Sequence, residues 1–272
     1  MTYIGWDSVG YRTGLASSDD LFTWKKEGIL IDRGPKDSIT ENNVAMTWIL
    51  RDNDMYGSSD LKKVNGRYLG TYHAYPGEGY ESGPAVIGLC WSDDLKKWEI
   101  DKPCLHCDDP DAGIWEQGGL YKSCILENDG KYYMFYNAKN KTNEMWREQI
   151  GLAISDDLKT WKRVSDKPIV PVGPAGSPDE IFAADPHVLK CGDTWVMFYY
   201  SLSADGRARD LAAISTDLIH WEKTGEILID VGKDGSIDST YAHKPAVISK
   251  DGALYHFYTA VRPATPGQTG EI

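Results

Sequence analysis

Basic residues are in deficit: 29 Lys and Arg stand against 41 Asp and Glu, a formal charge of −12. Nucleic acid needs clustered Lys and Arg on one face, so a phosphate-backbone partner is not expected. The acidic residues are scattered through turns, which reads as a solvated surface. Cysteine is sparse as well. The five, Cys90, Cys104, Cys107, Cys124 and Cys191, are an odd number in a chain too large to need a disulfide framework. Cys104-Leu-His-Cys107 has the spacing of half a zinc site, but no second ligand pair exists, so no metal is expected there. No run of eighteen apolar residues and no basic leader occur, so neither a membrane partner nor an export signal is expected. The chain as given reads as cytoplasmic, with a periplasmic or secreted origin open if a leader was removed. The Gly-x-Ser-x-Gly elbow, a phosphate-cradling glycine loop before a helix and His-Glu-x-x-His are all missing.

What the chain does have is aromatic residues, 10 Trp and 16 Tyr, and a heptapeptide that recurs four times. The copies are Ser18-Asp-Asp-Leu-Phe-Thr-Trp24, Ser92-Asp-Asp-Leu-Lys-Lys-Trp98, Ser155-Asp-Asp-Leu-Lys-Thr-Trp161 and Ser215-Thr-Asp-Leu-Ile-His-Trp221. Their tryptophans are 74, 63 and 60 residues apart, and each period holds four strand-like segments. In the third copy these are Tyr121–Leu126, Lys131–Ala138, Ile150–Ile154 and a last strand carrying Trp161, with Asp129-Gly130 as a tight hairpin turn. Ser and Asp of the heptapeptide shape a turn while Leu and Trp pack inward, an architectural role with no chemistry.

The expected fold is an all-β, five-bladed propeller of four-stranded antiparallel blades, one unit over residues 1–272. Complete blades are expected at roughly 56–100, 118–165 and 183–226, and both ends read as partial blades. Incomplete blades expose strand edges, so a fragment or self-association is expected.

In a propeller the innermost strand of each blade lines the axial channel, and equivalent positions converge there. Alignment on the second strands puts Ser58, Lys122, Asp185 and Lys244 at one position, with Glu116, Glu180 and Asp238 in the loops before them. Flanking lysines favour the ionised form of Asp185, which suits a base or charge-stabilising group. A carboxyl such as Glu116 or Glu180, beside Trp115 or Phe182, would stay protonated and act as a general acid. Two oppositely tuned carboxyls are what glycosidic cleavage requires. His187 and His243 would bind a sugar hydroxyl, shuttle a proton or hold a structural ion in the channel; no cofactor is otherwise required. Trp115, Tyr121 and Tyr241 are candidates to stack on a sugar face, and the loops Tyr75–Gly83 and Asn140–Arg147 to select the sugar.

The Ser-x-Asp-Leu-x-x-Trp repeats, the Tyr-Tyr-Met-Phe-Tyr type strands, Ala184-Asp185-Pro186 and His243-Lys244-Pro245-Ala246-Val247 resemble those of the five-bladed glycosidase superfamily. Its members are glycoside hydrolase families 43 and 32, with agarooligosaccharide hydrolases of family 117 and mannoside phosphorylases of family 130 as relatives. The resemblance implies a glycoside hydrolase acting on plant or algal oligosaccharides, with three carboxylates in the funnel: an Asp on the first blade, a mid-chain Asp and a Glu acid. Asp185 is similar to the mid-chain Asp; the first-blade Asp finds no match. A non-catalytic sugar-binding propeller and a phosphate-dependent phosphorylase, with Lys122 and Lys244 holding phosphate, are the alternatives.

Overall fold

The computed structural model describes residues 1–141 and 145–263. Their strands fall into consecutive antiparallel groups. The first is β1 (Thr2–Trp6), β2 (Tyr11–Ser17) and β3 (Lys25–Ile31). The second is β4 (Ala45–Ile49), β5 (Lys63–Val64), β6 (Arg67–Ala74), β7 (Val86–Ser92) and β8 (Glu99–Leu105). The third is β9 (Gly119–Asn128), β10 (Lys131–Lys139), β11 (Glu148–Ser155) and β12 (Lys162–Arg163). The fourth is β13 (Phe182–Cys191), β14 (Thr194–Leu202), β15 (Ala208–Ser215) and β16 (Glu222–Ile229). β17 (Tyr241–Lys250) and β18 (Ala253–Val261) form the last. Single parallel bridges, Glu148 to Phe182 and Ala208 to Tyr241, join the third group to the fourth and the fourth to the last. This is the all-β, propeller-type arrangement expected from the repeats. No helix among the described residues is long and apolar enough to cross a membrane.

The heptapeptide is the turn that ends each third strand. In every copy the Ser hydroxyl accepts the Leu amide, and the Asp just before Leu accepts the two amides that follow Leu. Satisfying these amides holds Leu21, Leu95, Leu158 and Leu218 in the left-handed region, which a Cβ resists. The Trp ring that follows packs on the preceding group: Trp221 meets Phe135 edge-on at 5.7 Å. Trp24 meets Phe257 in the same way at 6.0 Å, so the first group packs against the last. Trp161 itself lies just before β12 rather than within a strand.

The second group differs from expectation. Its innermost strand is β4, so the blade begins at Ala45 and not near residue 56. The segment between β4 and β6 crosses one end of the channel, where Lys190 N–H donates to the Asn53 carbonyl and Met55 N–H to the Lys190 carbonyl, both at 2.7 Å. Ser58 belongs to this crossing, not to the axial register. Backbone pairing pulls the crossing over to β13, a long-range contact with no local sequence mark.

Candidate functional site

The innermost strands share one irregularity. The pairing of β9 with β10, β13 with β14 and β17 with β18 breaks at one equivalent place, leaving a bulge. Lys122, Asp185 and Lys244 occupy the bulges with φ of 46°, 52° and 67°. A left-handed conformation costs a residue with a Cβ roughly 1–2 kcal/mol, and bulges re-aim side chains. Here they bring three charged groups together: Lys244 Nζ is 3.7 Å from Asp185 Oδ2, and Lys122 is close enough to act on both. Burial lowers Lys122, although Asp185 opposes it; for Lys244 the attraction of Asp185, Glu148 and Glu81 outweighs burial and raises it.

Asp185 is 3% exposed, and its Oδ1 accepts Asn137 Nδ2 at 3.1 Å. The same nitrogen donates to Glu148 Oε2 at 2.8 Å, which also accepts the Tyr200 hydroxyl at 2.8 Å. Two oxygens on one nitrogen lie within about 6 Å of each other. Glu148 is as buried as Asp185. Burial first, and then the charge of Asp185, raises its carboxyl above the ordinary range, against the hydrogen bonds from Asn137 and Tyr200. The result is a buried carboxyl whose protonated form is favoured, held beside a second carboxyl group, an arrangement that suits acid catalysis.

Two neutral histidines complete the floor. His73 accepts the Lys122 amide through Nδ1 at 3.3 Å and is pushed down to about 3 by burial and by Lys122 and Lys244. His243 lies 3.0 Å from the Thr259 carbonyl through Nδ1, edge-on to Tyr200 at 5.2 Å, and is lowered to about 4 by burial and Lys244. Tyr241 packs on His243 at 5.3 Å.

The remaining sequence candidates lie elsewhere. Glu116 is fully buried in a lock: Arg163 Nε at 2.9 Å, the Tyr136 hydroxyl at 3.0 Å and the Gly113 amide at 2.6 Å occupy its oxygens. Tyr136 precedes Asn137 on β10, and successive side chains point to opposite faces, so Glu116 sits away from Asp185. Trp115 goes with it, stacked on Tyr136. Asp238 makes the matching bond to the Tyr258 hydroxyl at 2.9 Å. In the fourth group the matching acid is Asp179, which binds Tyr199 and Lys223, and not Glu180. Glu180 spends its carboxylate on the Gly176 and Ala204 amides. His187 lies deeper in the channel, its Nε2 3.0 Å from both Arg51 Nη2 and the Val247 carbonyl, and is kept neutral by burial.

Of the expected residues the structure thus gathers Asp185, Lys122, Lys244, His243 and Tyr241, and adds Glu148, Asn137, Tyr200 and His73. Glu148 left a trace in the sequence. The pairing register sets it against Ala85 and Ala208, so one repeat carries a carboxyl where two others carry a methyl. Of the loops expected to select the sugar, Thr142 to Glu144 lie outside the described residues. No group of three His, Cys, Asp or Glu suited to a metal ion occurs among the described residues. Cys104 and Cys107 are free thiols raised by burial.

A family described as the glycosyl hydrolases family 32 N-terminal domain matches residues 53–230. The chain belongs to this family. Membership agrees with the superfamily suggested by the repeats and by the Asp185-Pro186 and His243-Lys244-Pro245 segments. Among solved structures, one described as "Glycoside hydrolase" is 32% identical with a TM-score of 0.84, covering 96% of this chain and 79% of that one. A 1,2-beta-oligomannan phosphorylase of Thermoanaerobacter sp. (strain X514) is 26% identical over 163 residues, 59% of this chain and 44% of that protein. A beta-xylosidase of Xylanibacter ruminicola is 28% identical over 148 residues, 48% of this chain and 41% of that protein. The family 32 chain therefore spans less than half the length of either curated relative.

Proposed function

We propose that this family 32 chain cleaves glycosidic bonds, with Glu148 as the proton donor to the departing oxygen. Asp185 keeps Glu148 protonated and stabilises the positive charge that develops on the sugar ring. The observation that carries the reading is the shared Asn137 donor, which fixes two buried carboxyls side by side on the funnel floor, the Glu148 carboxyl raised by burial and by Asp185. Lys122 and Lys244 hold the charge of Asp185, while Tyr241 and the edges of His243 and Tyr200 offer the sugar an aromatic wall. Oligosaccharides of plant or algal origin are the substrate class.

The test is release of product from a panel of nitrophenyl glycosides and oligosaccharides by the wild-type chain and by Glu148→Gln. A general acid contributes roughly 100-fold to 10,000-fold, so the variant should lose at least 100-fold in kcat. Retention of kcat within about twofold by Glu148→Gln removes the assignment.

Phosphorolysis is the second reading, favoured by two lysines in the funnel and by similarity to an oligomannan phosphorylase. Sugar release that requires inorganic phosphate, with a sugar phosphate as product, separates it from hydrolysis.

A further inference from the structure

Lys139 is a cation with no anion paired to it among the described residues. It closes β10 at 7% exposure, with Nζ 5.6, 5.8 and 5.4 Å from the rings of Tyr75, Tyr121 and Trp146. No ion pair or hydrogen bond from its ammonium group is present among the described residues. Ring faces attract the charge, but they do not accept its three N–H donors in full. The stem of Lys139 is buried while its ammonium group opens onto the cleft, so its N–H donors are available to an incoming partner. Beside it the Tyr75 hydroxyl is also buried and without a hydrogen-bond partner among the described residues. The pairing register sets Lys139 against Tyr75 and Leu202 of the neighbouring groups, so the cation is peculiar to this repeat.

The position is one step outward from the site. Lys139 is the cross-strand partner of Glu148, and it lines a cleft of about 480 Å³ with Glu81, Pro84, Gln117 and Lys141. Lys141 is exposed at the rim, and Glu81 on the same wall accepts the Tyr11 hydroxyl at 3.2 Å. An incoming oxyanion would find the Lys139 ammonium group and the Gln117 side chain, with room for about one to two sugar rings at this volume.

The geometry points to a subsite in this cleft for an anionic group, held by Lys139 next to the bond being cleaved. Taken with the proposed function, on which this identification of the substrate rests, the group is the carboxylate of a uronic acid residue. Inorganic phosphate offers the same chemistry and would mark the phosphorolytic alternative.

The experiment is calorimetric binding to the wild-type chain, Glu148→Gln, Lys139→Met and Lys139→Arg. The probes are galacturonate and glucuronate, their neutral counterparts galactose and glucose, and inorganic phosphate. At least tenfold tighter binding of an acid sugar than of its neutral partner is expected, lost in Lys139→Met and kept in Lys139→Arg and Glu148→Gln. Phosphate binding that is lost in Lys139→Met supports the subsite and identifies phosphate as its source. The proposal is overturned if no anion binds better than a neutral sugar, or if the preference survives in Lys139→Met at an unchanged Tm. Binding is read without turnover, so a failure of Glu148 as the acid and a failure of this subsite are seen separately.

Discussion

Asp185 and Glu148, from different blades and 37 residues apart in sequence, hang from the two N–H bonds of one Asn137 amide. The arrangement makes each carboxyl's chemistry depend on the other. The charge of Asp185 raises Glu148, while the amide works in the opposite direction.

Opposite pH shifts follow from this bridge. Activity that needs protonated Glu148 falls as pH rises through its pKa. Asp185→Asn removes a charge that raises Glu148, so the basic limb of the kcat profile should move to lower pH. Asn137→Ala removes a hydrogen bond that lowers Glu148, so the limb should move to higher pH. Shifts in the same direction for both variants would contradict the coupling.

Glu116 and Glu148 should separate stability from catalysis. Glu116→Gln is expected to keep kcat within about twofold, because its carboxyl touches Arg163 and Tyr136 and not the funnel. Arg163→Ala leaves a fully buried carboxylate without its partner, a change that typically costs about 3–5 kcal/mol. Urea unfolding followed by tryptophan fluorescence reads the stability change, and product release from a glycoside substrate reads kcat.

Acid should destabilise the fold through the channel histidines. The folded pKa of His73, about 3, lies below its ordinary value of 6.5, so below pH 6.5 the unfolded chain binds a proton that the folded chain does not. Stability from this group is complete above pH 6.5 and falls by about 1.4 kcal/mol per pH unit towards pH 3. Asp210, raised to about 6 by burial despite His256, opposes this: its contribution is present at low pH and is lost as pH rises through 6. His73→Gln should therefore flatten the loss of stability between pH 6 and pH 4, measured by urea unfolding at each pH.

The contact of Trp24 with Phe257 should hold the first and last strand groups together. Trp24→Ala is expected to cost about 3 kcal/mol and to lower Tm, with KM for a glycoside substrate unchanged, because Asp185 is held by Asn137 and Lys244 and not by this pair. A raised KM at an unchanged Tm would show instead that this seam shapes the funnel.

The sequence by itself determined the architecture, because a blade is a local object. Strand, Asp-Gly hairpin and Ser-x-Asp-Leu-x-x-Trp turn are written within some 60 residues and repeated, and even the axial positions of Lys122, Asp185 and Lys244 follow from counting along aligned strands. Tertiary structure decided everything that depends on which face a side chain takes and what it meets across the ring. A bulge adds one residue to a strand, and a loop has no register, so Glu180 was expected where Asp179 stands, and Ser58 where the chain instead crosses under the channel. Glu116 and Glu148 are both acids beside tyrosines on one blade. Only packing makes the first a partner of Arg163 and leaves the second raised by burial beside Asp185, because burial and the charges of neighbouring blades are properties of the assembled ring.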